Sequence, residues 1–219
     1  IEVEVRWNKM LNKDWRLWGN AAYTRAVNEI KEADDPKLMP EYQKKANKAI
    51  NQTTSFVDNG YYNNWDELYA TTPHDASDDA RIPGNYIIMD YDGDGVISSY
   101  DRVPYGYTGV PQNTVNAQFG VDYKGWSFFV QFYGVNNVTR SVNLDTFTES
   151  RNLAFNEGTY WNKTDLTGDV PLPTWGLIPS NYATGTRYLF DGSYMRLKYA
   201  ELAYTFSNQE WMKKVGLSS

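Results

Sequence analysis

In a chain of 219 residues, a net charge of −6 argues against nucleic acid as a partner, and the lack of any cysteine excludes a disulfide framework, a thiolate nucleophile and a cysteine-type zinc site. Mean hydropathy is −0.64, yet 16% of the residues are aromatic, including 18 Tyr and 8 Trp, an excess of amphipathic rings that suits an interface with lipid or ligand better than a soluble core. No apolar run approaches the ~20 residues of a membrane helix, which leaves a crossing by strands open.

The chain starts within an alternating strand and without an initiator Met or signal peptide, which reads as a piece of a longer polypeptide. Ile1, Val3, Val5 and Trp7 alternate with Glu2, Glu4, Arg6 and Asn8. After the Asn12-Lys13-Asp14 turn the alternation returns, with Trp15, Leu17, Ala21 and Tyr23 on one side and Arg16, Asn20 and Thr24 on the other. This pattern predicts a hairpin.

Residues 28–112 form a long insertion. It holds a predicted helix over 40–50, an aromatic cluster of Tyr61, Tyr62, Trp65 and Tyr69, and the stretch with the most specific spacing, Asp90-Tyr91-Asp92-Gly93-Asp94-Gly95-Val96-Ile97-Ser98-Ser99-Tyr100-Asp101. In an EF-hand loop, carboxylates at positions 1, 3 and 5 converge on one hard cation, a glycine at position 6 permits the sharp turn, and the backbone carbonyl at position 7 is a ligand. Asp90, Asp92, Asp94, Gly95 and Val96 occupy those places. Ile97 at position 8 is expected to tuck into apolar surroundings, Ser98 at position 9 to bind directly or through water, and Asp101 at position 12 to stand where the bidentate Glu belongs. The cation expected is calcium, held less tightly because Asp reaches one methylene less far than Glu. The bland reading is a solvated Asp- and Gly-rich turn. The flanks are not those of an EF-hand: Tyr86-Ile87-Ile88-Met89 reads as β, and Pro104 and Gly106 follow the loop. With no acid–base pair around an open metal position, the expected role is structural bracing. His74, the sole histidine, reads as a surface residue in a polar loop.

Alternation is cleanest over 114–123, where Val115, Ala117, Phe119, Val121 and Tyr123 face one way and Asn116, Gln118 and Asp122 the other. Lys124-Gly125 makes a two-residue turn, and Trp126, Phe128, Val130 and Phe132 continue the apolar face. Each strand is close to the ~10 residues that cross a bilayer as tilted β, although a soluble sandwich would share the pattern. Residues 137–191 form a second long polar insertion with Trp161 and Trp175. Residues 193–206 give another strand, in which Met195, Leu197 and Tyr199 are in one phase and Ala200, Leu202, Tyr204 and Phe206 in the other, so a β-bulge is expected between Tyr199 and Ala200. A helical turn over 209–215 is expected to close the stretch. The connections alternate short and long, which is the habit of outer-membrane barrels.

Four blocks carry a family resemblance: Asn12-Lys13-Asp14-Trp15; Pro83-Gly84 followed by residues 90–102; Tyr123-Lys124-Gly125-Trp126; and Gly192-Ser193-Tyr194-Met195-Arg196-Leu197-Lys198 running into Leu202-Ala203-Tyr204-Thr205-Phe206. Together they make the chain resemble the SusC/RagA-type TonB-dependent outer-membrane transporters of Bacteroidetes. The resemblance implies that residues 1–219 are an all-β, antiparallel segment of the C-terminal transmembrane β-barrel, about five to six of its ~22 strands, with 28–112 and 137–191 as extracellular loops. It implies active transport of a glycan or peptide nutrient, a SusD-like surface lipoprotein as partner, and contact with the TonB complex through N-terminal regions outside this chain. It also assigns Val115, Phe119, Val121, Trp126, Phe128, Val130 and Phe132 to outer-membrane lipid, and Asn116, Gln118, Asp122 and Gln131 to the lumen.

Two rival functions are weighed against this one. In a secreted, calcium-stabilised, β-rich carbohydrate-binding module, Trp65, Trp161 or Trp175 would stack on sugar rings; the same three are the substrate-contact candidates of the transporter. A hydrolase built on Asp78 and Asp79 is the weakest reading, since acidic pairs in loops are commonly just solvated. No catalytic residue is therefore expected.

Overall fold

The computed structural model describes residues 1–75, 81–142, 161–168, 172, 185–206 and 212, and the backbone of 146–147 and 174–175. In chain order the elements are β1 (Glu2–Met10), β2 (Trp15–Arg25), β3 (Thr54–Ser55), β4 (Asp58–Tyr61), α1 (Trp65–Ala70), β5 (Tyr86–Ile88), β6 (Val103–Pro104), β7 (Asn113–Tyr123), β8 (Trp126–Asn136), β9 (Thr139–Ser141), β10 (Thr146–Phe147), β11 (Thr174–Trp175), β12 (Leu189–Asp191) and β13 (Tyr194–Tyr204). They divide into two compact units. Ile1–Val27, Val110–Val138 and Gly192–Ser219 form a sheet unit, and Asn28–Gly109 with Thr139–Asp191 form a loop unit.

The sheet unit is one antiparallel sheet in the order β1-β2-β7-β8-β13. Two-residue periodicity puts alternate side chains on opposite faces, and the register makes the apolar sets coincide. Val5, Ala21, Ala117, Phe132 and Leu197 lie in one row across the five strands, and Trp7, Gly19, Phe119, Val130 and Ala200 in the next. At one end β1 joins β2 through a short turn, where the Asn12 side-chain carbonyl accepts from the Asp14 and Trp15 N–H groups. Beside it Lys124 and Gly125 make the turn from β7 to β8 with φ of 43° and 87°, the left-handed pair a two-residue hairpin demands. The long connections leave from the opposite end.

The expected bulge in the last strand sits earlier than the alternation suggested. Leu197 pairs with Phe132 and Tyr199 with Gln131, so the extra residue is Lys198. The bulge keeps Met195 and Leu197 on the same face as Ala200, Leu202 and Tyr204, and Tyr199 turns to the polar face. The 209–215 helical turn lies outside the described residues apart from Met212, which is helical.

The loop unit has a core of its own, formed by Phe56, Tyr61, Tyr86, Ile88, Ile97, Trp161 and Tyr188 with Leu172 packed against it. Residues from both insertions contribute, so neither is a structureless excursion. Small ladders frame this core: β3 pairs with β6, β4 with β5, and β9 with β12. Asp58 joins the insertions by polar contacts, accepting from the Thr186 hydroxyl at 2.6 Å and from Arg187 at 3.2 Å. The helix expected over 40–50 is absent: the chain makes successive turns there. Asn47 and Asn51 adopt φ of 62° and 59°, which a helix cannot continue through, and the Asp35 carboxylate takes the Lys45 and Ala46 N–H groups at 3.0 and 2.9 Å. His74 is buried rather than on the surface, bridged to Ile97. The aromatic cluster divides: Tyr61 and Tyr62 are buried, Trp65 and Tyr69 exposed.

Candidate functional site

Two features of the molecule have the build of a functional surface, the two-faced sheet and the Asp90 loop. On one face of the sheet the apolar side chains stand open: Val3 is 52% exposed, Phe128 41% and Leu202 67%. A soluble sandwich would bury these residues under a second sheet. At the short-turn end Trp15, Tyr123, Trp126 and Tyr204 occupy one register row, with ring centroids 4.3 Å apart for Trp15–Tyr123 and 4.8 Å for Trp126–Tyr204. Eight residues farther along β2 stands Tyr23, its hydroxyl donating to Asn113 at 2.9 Å. Eight residues at ~3.3 Å each give roughly 26 Å along a strand, close to the ~25 Å apolar band between the aromatic girdles of a membrane barrel.

The opposite face is polar and interconnected. Ser127 donates to Asp122 at 2.9 Å, Gln131 to Asn116 at 2.9 Å, and Arg16 stands 3.8 Å from Asp122. Trp18 stacks on Phe129 at 5.6 Å. Val115, Phe119, Val121, Trp126, Phe128, Val130 and Phe132 share the apolar face, and Asn116, Gln118, Asp122 and Gln131 share the polar one.

In the Asp90 loop the carboxylates of Asp90, Asp92 and Asp94 converge, with one oxygen from each lying within 4.8 Å of the others. Backbone geometry produces the convergence. Gly93 and Gly95 adopt φ of 72° and 85°, and Asp90 accepts from the Gly93 and Gly95 N–H groups at 2.8 and 3.0 Å, wrapping the chain around its own first carboxylate. Partial desolvation pushes the Asp92 carboxyl above the usual carboxylate range; the Asp94 N–H opposes this, and the charges of Asp101, Asp94 and Asp90 add to the rise. Three oxygens from hard carboxylates in such surroundings fit a divalent cation of calcium type.

Of the remaining expected ligands, Asp101 and Ser98 have partners of their own. Asp101 is fully buried and accepts three backbone N–H groups, from Tyr91 at 2.6 Å, Asp92 at 3.4 Å and Ser98 at 2.7 Å. The Ser98 hydroxyl caps the single 3-10 turn of 99–101, accepting from Tyr100 at 3.1 Å. Val96 donates its N–H to Asp94 at 2.8 Å. Ile97 is buried in the loop unit's core, as expected of position 8, and its N–H donates to the Pro73 carbonyl at 2.7 Å while its own carbonyl accepts from Asp75 at 2.9 Å. Sequence reasoning missed Tyr42, whose ring meets that of Tyr91 edge-on at 4.8 Å and whose hydroxyl donates to the Tyr100 carbonyl at 2.8 Å. A partner almost fifty residues away leaves no local signal in the sequence.

The three Trp candidates do not converge on one site. Trp65 is half exposed and stacks on Tyr69 one helical turn on, at 6.1 Å. Trp161 is 3% exposed, donates to Asn63 at 3.2 Å, and lies so close to Gly84 that a Cβ there would stand 2.5 Å from the indole. It is a packing residue, which corrects the expectation of an exposed stacking ring. Trp175 belongs to β11 by its backbone, and its side chain lies outside the described residues. So do Asp78 and Asp79.

No family model matches the chain. Over 139 residues, 63% of its length, the chain is 28% identical to TonB-dependent receptor P3 of Formosa agariphila, and it spans 13% of that protein. Its fold is similar to that of the RagAB peptide transporter, with a TM-score of 0.60 at 17% identity, over 94% of this chain and 22% of that one. Against the RagAB peptide importer in its "closed-closed" state the TM-score is 0.54 at 16% identity. These likenesses bear out the resemblance drawn from the four sequence blocks, and the all-β antiparallel segment is similar to part of a transporter barrel.

Proposed function

We propose that this chain forms wall and outer loops of an outer-membrane importer that takes up a glycan or peptide nutrient with energy from TonB, in company with a SusD-like surface lipoprotein. The observation that carries this reading is the continuous, uncovered apolar face of the five-stranded sheet, bounded by an aromatic row and opposed by a polar face. Such a sheet is stable only where hydrocarbon replaces the missing second layer. Support also comes from the likeness to a TonB-dependent receptor and to the RagAB peptide transporter. A secreted binding module is disfavoured by the same exposed face. The test is to express the full-length protein and follow its fractionation. Recovery in outer membranes, with solubility only in detergent, is the expected result; a monodisperse product in plain buffer would sink the reading.

We further infer that Asp90, Asp92 and Asp94 hold a structural calcium ion. The Val96 carbonyl and Ser98 hydroxyl would complete the shell, and Asp101 would brace the loop from beneath. The ion would supply charge that three adjoining carboxylates lack, with no part in bond making or breaking.

A further inference from the structure

Within the loop unit lies an open cleft of about 600 Å³, a size suited to a small-molecule ligand. Its lining includes four cations, Lys44, Lys45, Lys48 and Arg102, and no carboxylate, although the whole chain carries a net charge of −6. Four acids stand nearby: Asp92 and Asp101, whose charges act on the Tyr42 hydroxyl, and two that the basic stretch itself engages. Glu41 accepts from Lys44 at 2.6 Å, and Asp35 is occupied by the Lys45 and Ala46 N–H groups. Lys48 donates to the Tyr42 carbonyl, and burial pushes its ammonium pKa down, partly offset by Asp35 and Glu41. Arg102 donates to the Thr54 carbonyl at 3.3 Å and lies 5.1 Å from the Phe56 ring centre, so both cations are fixed in place by neutral partners. Tyr42 and Tyr100 join the lining, tied to each other by the bond from the Tyr42 hydroxyl to the Tyr100 carbonyl. Gln43 donates to that carbonyl as well, at 2.6 Å.

We propose that this cleft is a subsite for a carboxylate-bearing ligand, whose anionic group is met by Lys45, Lys48 and Arg102 and whose body lies against Tyr42 and Tyr100. Lys48 and Arg102 donate to neutral carbonyls rather than to carboxylates, which leaves them able to pair with an incoming anion, and charge-assisted hydrogen bonds to carboxylate are the strong ones. The carboxylate can come from a uronic acid unit of an oligosaccharide or from an acidic peptide; the cleft recognises the group they share. This deepens the importer reading by naming a substrate chemistry. Capture is measured by binding and import by uptake, so the two fail separately.

Full-length protein in detergent would be titrated calorimetrically with trigalacturonate, triglutamate, maltotriose and N-acetyl-trialanine amide. An acidic probe is expected to bind at least about tenfold tighter than its neutral counterpart, and more weakly as salt is raised, since screening shortens the reach of exposed charge. Binding of trigalacturonate alone identifies the sugar source, of triglutamate alone the peptide source, and of both the carboxylate as sufficient. Lys48→Met should weaken the acidic probe about tenfold. Lys45→Gln, at an exposed side chain whose backbone bond to Asp35 is untouched, should weaken it severalfold without altering thermal unfolding, which separates loss of ligand from loss of fold. Equal affinity for acidic and neutral probes, no binding of either acidic probe, or variants as tight as the parent would overturn the proposal.

Discussion

Trp18 lies across Gly120 on the neighbouring strand so closely that a Cβ on the glycine would stand 2.1 Å from the indole. The pair sits on the polar face beside the Trp18–Phe129 stack, and the missing side chain is what lets a large ring lie flat on the sheet. Gly120→Ala should therefore displace Trp18 and cost about 1–3 kcal/mol, the usual cost of overpacking. Gly109→Ala, where nothing lies within 4 Å, should be neutral. Urea titration of both variants in detergent, followed by Trp fluorescence, checks the difference.

The two faces of the sheet make opposite demands on charge. Phe119 stands on the apolar face in a row midway between the aromatic ends, and Gln118 on the polar face beside it. Phe119→Arg should cost about 2–4 kcal/mol if the face meets hydrocarbon at mid-depth. Gln118→Arg should fold like the parent. Equal tolerance in an outer-membrane assembly assay would refute the assignment of faces.

Arg187 lies 4.5 Å from the Tyr61 ring centre, donates to the Tyr61 hydroxyl at 2.5 Å, and reaches Asp58 at 3.2 Å with both charged side chains about four-fifths covered. Asp58→Ala removes a largely covered carboxylate that both Arg187 and the Thr186 hydroxyl donate to and should destabilise the loop unit by about 3 kcal/mol. Glu4→Gln breaks a solvent-screened pair with Arg6 and should leave stability unchanged. Limited proteolysis within residues 28–109 and 139–191, compared across the two variants, reads the contrast.

Calcium should raise the loop unit's resistance to protease, chelation should lower it, and Asp92→Asn or Asp94→Asn should abolish the difference. Asp101→Asn acts otherwise. Because its buried carboxylate accepts three N–H groups, the substitution should cost about 1–3 kcal/mol even in chelator.

Hydrogen bonds from Ala46 and Lys45 hold the Asp35 carboxyl below its ordinary pKa. A depressed pKa means that the folded form binds this proton less readily than the unfolded chain, so the stabilisation is present above the ordinary carboxylate value and is lost as pH falls through the lowered one. Residues 35–46 should loosen on that acid descent, read by amide exchange at Lys45 and Ala46. Asp35→Asn should show the looser behaviour already at neutral pH.

The sheet was legible because period-two alternation is a local signal: Val115 to Tyr123 and Trp126 to Phe132 announce their faces residue by residue. Alternation alone places the bulge about a residue late because Arg196, Lys198 and Tyr199 are all amphipathic and break the period gradually. The Asp90 spacing identified the converging carboxylates, but it could not reveal that Asp101 turns to the backbone, since that depends on the 3-10 turn folding beneath it. The burial of Trp161 is not legible in the sequence because it depends on Gly84, almost eighty residues away, leaving room for the indole. The helix over 40–50 failed for a tertiary reason as well, the capture of two N–H groups by Asp35.

The common core of the two insertions bears on how such loops diversify. Tyr61 donates to the Gly168 carbonyl at 2.8 Å, Asp58 engages Thr186 and Arg187, and Trp161 fits over Gly84, so each segment is the other's mould. A graft of residues 28–109 alone into a related barrel would bring half of every one of these fits. Exchanged as a matched pair with 139–191, the two segments would carry their complementarity with them, and a new specificity could be inherited as a single cassette.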